Sequence, residues 1–276
     1  MAEFIGFFCD IFGYLLKFLY DIFKNYGVAM IVFSVIIKLI MLPMNIKQQK
    51  TTQKTAKLQG KIKEIQIKYK NNPEQQNAEM MKLYKEENLS PFSGCLSAII
   101  QIILLLAMFY LVSQPLTFMF KLPESERKAY EEQVEAPNSY YKEMAVIKSN
   151  VLPEEYKINM DFLGIDLSNV PKDNLTDVKT LIIPVLYVIT SFISIKYSMA
   201  VTANKDKEKD KNKEENNELD AAMQMNKSMS YFMPIMSVYI AIIAPLGLGL
   251  YWLVNNILQL VQQVVIKKVI DKQEEV

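Results

Sequence analysis

Apolar residues in this chain come in long blocks, and charged residues fill the stretches between them. The first block, GVAMIVFSVIIKLIMLPM at 27–44, is long enough to cross a hydrocarbon core of about 30 Å. Similar blocks occupy 94–120, 178–200 and 229–266. As one helix the last would exceed about 50 Å. Pro245-Leu246-Gly247-Leu248-Gly249 supplies a break, so the block divides into 229–245 and 246–266. The fourth span is then short, which favours a locally thinned bilayer. Between the first two spans, 45–93 reads as a helical hairpin. Leu58, Ile62, Ile65 and Tyr69 recur at i, i+4, i+7 and i+11, one face of a helix. Asn71-Asn72-Pro73 turns the chain, with Asn72 as cap and Pro73 at the first helical position. Ala78, Met81 and Tyr84 offer a matching face on the second helix. In residues 1–26, Glu3, Asp10, Lys17, Asp21 and Lys24 share one stripe of a segment otherwise rich in Phe, Ile, Leu and Tyr. That pattern suits a helix lying in the membrane interface; a weak first transmembrane helix is the other reading. The predicted fold is an all-α integral membrane protein, with five transmembrane helices, a cytoplasmic helical hairpin and an N-terminal interfacial helix.

Charge sets the orientation. Residues 45–93 carry ten lysines against five acidic residues, whereas 121–177 carry seven basic and twelve acidic residues. By the positive-inside rule the 45–93 arm, the charged loop 201–228 and the tail 267–276 face the cytoplasm. The N-terminus and 121–177 lie outside. The loop's core, NKDKEKDKNKEENNELD, balances opposite charges without apolar anchors and reads as solvated. Net charge is only +1, which implies no attraction to DNA.

Much chemistry is excluded. The chain has no histidine, so His-based metal sites and Ser-His-Asp triads are absent. There is no GxxxxGK[ST] phosphate loop, no HExxH and no nucleophile elbow. The two cysteines, Cys9 and Cys95, are far apart and lie at or in apolar segments, the pattern of buried small hydrophobes. The expectation is a protein without cofactor, metal or covalent catalysis, so any work draws on lipid partitioning, the membrane potential or a partner.

What remains is the polar content of the spans. Lys38 is the one charge in the first span, and insertion scales set the cost of a charge at that depth at about 2.5–3.5 kcal/mol. Ser34 shares its face at i, i+4. Gln101 lies in the second span; Ser191, Ser194 and Ser198 line up in the third; Asn255, Gln259 and Gln262 line up in the fifth, beside Trp252. Should these faces converge, they form a hydrated pocket around Lys38 with no intramembrane carboxylate to neutralise it. Other readings stand beside this one. Lys38 lies about 9 Å along the helix from Met44, within snorkelling reach of headgroups. The serines can satisfy their own backbone, and the amides can act as interhelical glue.

Three segments carry a resemblance: YGVAMIVFSVIIKLIMLPMNIKQQK, then KLQGKIKEIQIKYKNNPEQQNAEMMKLYKEENLSPFSGCLSAIIQIILL, then FMPIMSVYIAIIAPLGLGLYWLVNNILQLVQQ. Together they closely resemble the YidC/Oxa/Alb family of membrane protein insertases, over about residues 26–112 and 162–266. DFLGIDLS, Asp161–Ser168, resembles the segment before that family's third core helix. The resemblance implies a five-helix core in a bacterial cell membrane, with a groove open to cytoplasm and lipid and closed outside. The position of Lys38 is usually arginine in the family; lysine keeps the charge and loses the planar fork. Ser194-Ile195 stand where relatives often carry glutamines. The chain looks like the compact Gram-positive type, although its N-terminus lacks the lipoprotein signal usual there.

The expected function is that of a membrane protein insertase and chaperone. Its substrate groove would comprise Lys38, Ser34, Gln101, Ser191, Ser194, Trp252, Asn255 and Gln259. Met119, Met199 and Met233 would offer adaptable contacts to a departing helix. Lys54, Lys57, Lys61, Lys68 and Lys82 would form a cytoplasmic recruitment arm. Partners would be nascent membrane proteins, with the ribosome, targeting factors, the Sec translocation channel and anionic lipid as further candidates. The alternatives are a small-solute channel or transporter that uses Lys38 as a gate, and a passive assembly scaffold for membrane complexes.

Overall fold

A computed structural model describes residues 2–89, 93–135, 141–203, 236 and 239–274. The charged loop beyond residue 203 and most of the predicted fourth span, 229–245, lie outside the described residues. The elements run α1 (Ala2–Phe23), α2 (Tyr26–Lys57), α3 (Gln59–Lys68), α4 (Pro73–Glu86), α5 (Ser93–Ser113), α6 (Pro115–Phe118), α7 (Glu124–Glu131) and α8 (Lys142–Lys148). They continue with strands β1 (Asp161–Phe162) and β2 (Ile165–Asp166), then α9 (Val178–Ala203) and α10 (Leu246–Glu274). The strands form a two-residue antiparallel ribbon, the one departure from the expected all-α chain among the described residues.

Two described helices, Tyr26–Thr55 and Val178–Tyr197, are long and apolar enough to cross a membrane, and Ile99–Ser113 is a shorter apolar helix. In the two long helices only 33% and 17% of the apolar window is buried in protein. A core helix of a soluble globule would hide far more, because exposed apolar surface costs about 25 cal/mol per Å² in water.

Two local breaks read from the sequence are present among the described residues. The break at Pro245 is present, and α10 starts at Leu246. Asn72 caps α4, its side chain accepting from the Gln75 amide at 3.2 Å, with Pro73 in the first turn. The helix that carries the first span does not stop at Met44, however. Helix α2 is 32 residues long and continues through Pro43 into the arm. Proline removes one N–H and leaves the Leu39 carbonyl without its helical donor. The hairpin core also differs from expectation on one side. Leu58, Ile62 and Leu83 are buried, with Ile65, Met80 and Tyr84 packed around them. Ala78 and Met81 face outward; the inward face of α4 is the row 76, 80, 83, 84 rather than 78, 81, 84.

The described residues of 121–177 build a cap on one end of the bundle. The first N–H groups of a helix have no partner in their own helix, and here the cap supplies acceptors. Tyr26 N donates to the Asn159 carbonyl at 3.0 Å, Leu246 N to Asn169 at 2.8 Å and Gly247 N to Leu167 at 2.9 Å. Asn25 adds an Nδ2–H bond to the Asp161 carbonyl at 2.7 Å and caps Val28 N with its own oxygen. Helix α1 packs against this end, its Gly13 pressed on the Phe118 backbone and its Asp10 paired with Lys121. Of the charged stripe of α1, Asp10, Asp21 and Lys24 are exposed and Lys17 is half-buried, and Phe7, Ile11, Tyr14, Phe18 and Ile22 form a second, exposed row.

Inside the cap, the Glu143 carboxylate is buried. It accepts from Leu116 N at 2.7 Å, Thr117 N at 3.2 Å and Thr117 Oγ1 at 2.5 Å, with the Arg127 guanidinium 3.5 Å away. Burial outweighs these donors and raises the carboxyl pKa to about 6. The folded protein thus binds this proton more tightly than the unfolded chain does. The group's contribution to stability is greatest below the unfolded value of 4.5 and declines as pH rises through about 6. The loss is about 2 kcal/mol at 1.4 kcal/mol per pH unit. The expected result is that Glu143→Gln flattens this part of the profile. Thermal unfolding in detergent from pH 4 to 8, parent minus variant, measures it; a difference that does not change with pH contradicts the assignment.

Candidate functional site

The buried core lies toward the cap end. Tyr26, Met30 and Phe33 of α2, Met108, Leu111 and Val112 of α5, and Leu246 and Leu248 of α10 are fully enclosed, together with Leu16 of α1 and Leu167 of the cap. Along α2 the buried run stops at Ile37, one residue before Lys38. Along α5, Ala107 is the burial limit; toward the arm, Ile99, Ile102 and Leu105 are exposed. On α9 and α10, Ile189, Phe192, Ile193 and Ile257 are exposed as well. Among the described residues, most of the fully buried side chains therefore cluster at the cap end.

Lys38 sits at that transition, half-buried. Its Nζ donates to Gln259 Oε1 of α10 at 2.7 Å. No carboxylate reaches it among the described residues. Below it the same two helices continue to meet through amides. Asn45 Nδ2 donates to Gln262 Oε1, and Gln49 Nε2 to the Gln263 carbonyl, both at 3.4 Å. Gln262 Nε2 and Gln263 Oε1 are buried yet unpartnered among the described residues. Buried polar atoms of this kind normally hold water or a ligand.

The remaining predicted residues divide. Ser34 is fully buried and donates to its own helix at Met30 O, 2.8 Å, so its hydroxyl is spent locally. Asn255 does the same toward Tyr251 O at 2.9 Å. Gln101 is exposed on α5 and hydrogen-bonds to neither Lys38 nor Gln259. Ser194 is half-buried with no hydrogen bond among the described residues. Trp252 turns to α9 and packs on Tyr187, ring centroids 6.0 Å apart. Ser191 accepts from Asn256 Nδ2 at 2.8 Å, and Thr190 accepts from the same nitrogen at 3.3 Å. The amide row on α10 thus serves two faces. Gln259 and Gln262 face α2, whereas Trp252 and Asn256 face α9. Sequence reasoning missed Asn256 and Thr190. The available signal was that Trp252 and Asn256 are i, i+4 and share a face.

Met119 is a correction: it is buried at the cap end as core and offers nothing to a groove. The side chains of Met199 and Met233 lie outside the described residues. On the arm, Lys54, Lys57 and Lys82 are exposed, Lys61 pairs with Glu87 at 3.0 Å, and Lys68 lies 5.2 Å from the Tyr69 ring. A cavity of about 560 Å³ opens between α1 and the cap, lined in part by the ion pairs Lys17–Asp21 and Lys157–Glu154, and Lys38 is not among its lining residues.

Comparison with known proteins places this arrangement. The family described as 60Kd inner membrane protein matches residues 18–274. A membrane protein insertase YidC of Caldanaerobacter subterraneus is 28% identical over 256 residues, 91% of this chain and 89% of that protein. One from Clostridium perfringens is 29% identical over 88% of this chain and 79% of its own length. One from Treponema denticola is 29% identical over 94% of this chain, which spans 37% of that longer protein. Two long apolar helices and a family match across nearly the whole length agree, and the chain belongs to the YidC family of bacterial membrane protein insertases.

Proposed function

We propose that this chain moves the short extracytoplasmic tails of nascent membrane proteins through a hydrated, positively charged groove and releases the following helix sideways into lipid. The observation that carries this reading is that along α2 the buried run ends one residue before Lys38, which supports an amine at the closed end of a passage opening toward the arm. Gln259 holds the ammonium by a neutral acceptor, which an incoming carboxylate displaces in favour of a charge-assisted bond. With the arm in the cytoplasm, an inside-negative potential drives an anionic tail outward by about 2.3 kcal/mol per charge per 100 mV. The apolar faces of α2 and α9 offer the lateral exit. The exposed arm lysines suit the ribosome, targeting factors or anionic lipid, and a Sec translocation channel is a further candidate partner.

Site-specific crosslinking tests the passage. Photoreactive groups at 101, 194 and 259 are expected to capture a ribosome-stalled single-span nascent chain, whereas one at Val112, in the sealed core, captures none. Equal capture at all four positions, or capture at 112 alone, removes the groove.

A further inference from the structure

We propose that the turn at Leu163 is an apolar anchor that seats the cap end of the bundle in the interfacial layer of the bilayer. The proposal rests on the reading of α2 and α9 as membrane spans and not on the insertion mechanism. Leu163 and Gly164 form the two-residue loop between β1 and β2, with φ of 54° and 77°. Positive φ at both loop positions is the type I′ geometry, which favours Asn-Gly or Asp-Gly. Leucine is doubly costly there. Its side chain strains the left-handed backbone, and it is 87% exposed, the most exposed large hydrophobic among the described residues. In water, asparagine would be better on both counts.

The hairpin has no freedom to relax this strain. Phe162 lies against Gly27 of α2, Asn25 Nδ2 holds the Asp161 carbonyl, and Leu167 N bonds Met160 O at 2.9 Å. Asp166 Oδ1 accepts from both Ser168 N and Oγ. A strained residue that projects outward between flanking residues tied to the helices is a feature that persists for a use.

Its neighbours identify the use. The turn stands over the start of α9, where a side chain at Gly164 would come within 3.9 Å of the Lys179 ammonium. Val178, 74% exposed, opens a row with Ile182, Val185, Ile189 and Phe192 at i, i+4, i+7, i+11 and i+14, all exposed. That is the lipid face of α9, and Leu163 and Leu175 extend apolar surface past its end. An apolar tip with a lysine alongside matches the headgroup boundary, where the leucine meets acyl chains and the ammonium meets phosphate.

The test uses the full chain in vesicles of phosphatidylethanolamine and phosphatidylglycerol. Leu163→Trp adds one indole, read as the difference from the parent, which contains Trp252. The expected result is strong quenching by lipids brominated near the headgroup and weak quenching by aqueous iodide. Lys142→Trp, on the exposed surface of α8, is expected to behave oppositely. Val178→Trp reports the same boundary, and adding Leu163→Asn is expected to move it toward iodide, while the fold in detergent is unharmed because asparagine relieves the turn. Free access of iodide to the indole at 163 overturns the anchor. So does shielding from both quenchers, which would assign the tip to a protein contact. Insertion activity is not read in any arm, so the groove mechanism and the anchor stand or fall separately.

Discussion

Lys38→Ala is expected to slow insertion of a single-span substrate with an acidic tail about tenfold, while Lys38→Arg inserts near the parent rate. The size follows from Coulomb energy: a charge pair about 4 Å apart in a wet, partly buried site gains on the order of 1–4 kcal/mol, and 1.4 kcal/mol is a factor of ten. Arginine keeps the charge and can still donate to Gln259 Oε1. Gln259→Leu is expected to fall between them, because it removes the acceptor that holds the amine in the passage but not the amine. A substrate with a neutral tail should lose little in any variant. The measurement is protease protection of the translocated tail in vesicles containing the purified protein. Parent-like insertion of the acidic tail by Lys38→Ala would refute the charge mechanism, whatever becomes of the fold.

The second large effect concerns Gly27→Ala. A Cβ at Gly27 would lie 2.5 Å from two ring carbons of Phe162 and 2.7 Å from its Cβ. The ring cannot swing away alone, because the Cβ itself is in the way, so the whole ribbon must shift. The ribbon is tied to the start of α2 through Asn25 and Asn159. Overpacking of this kind costs about 1–3 kcal/mol, offset by roughly 1 kcal/mol of helix propensity gained on replacing glycine. The net expectation is a protein destabilised by up to about 2 kcal/mol, with a cap more readily cleaved by protease. Phe162→Ala alone is also destabilising, since it removes buried ring contacts. Combined with Gly27→Ala, however, it should cost less than the sum of the single changes, a coupling of about 1 kcal/mol between residues in contact. Strict additivity in thermal unfolding would show that the two do not press on each other.

The membrane class, the long apolar helices, the break at Pro245 and the Asn72-Pro73 turn are legible in the order of residues alone. Each is a local property: length against bilayer thickness, loss of a backbone donor, a capping side chain. Lys38 was legible for the same reason, as a single charge in an apolar run is conspicuous before any folding. Tertiary structure alone decided which polar residues meet. Ser34 and Asn255 turned back to their own helices, Gln259 reached Lys38 across 221 positions, and Asn256 paired with α9. Helical periodicity shows which residues share a face but not which neighbour that face meets, so Gln259 and Trp252 could not be assigned to different partners. The cap was equally hidden. Its role is to accept hydrogen bonds at the starts of α2 and α10 through main-chain carbonyls, and every residue type carries a carbonyl, so composition leaves no trace of it.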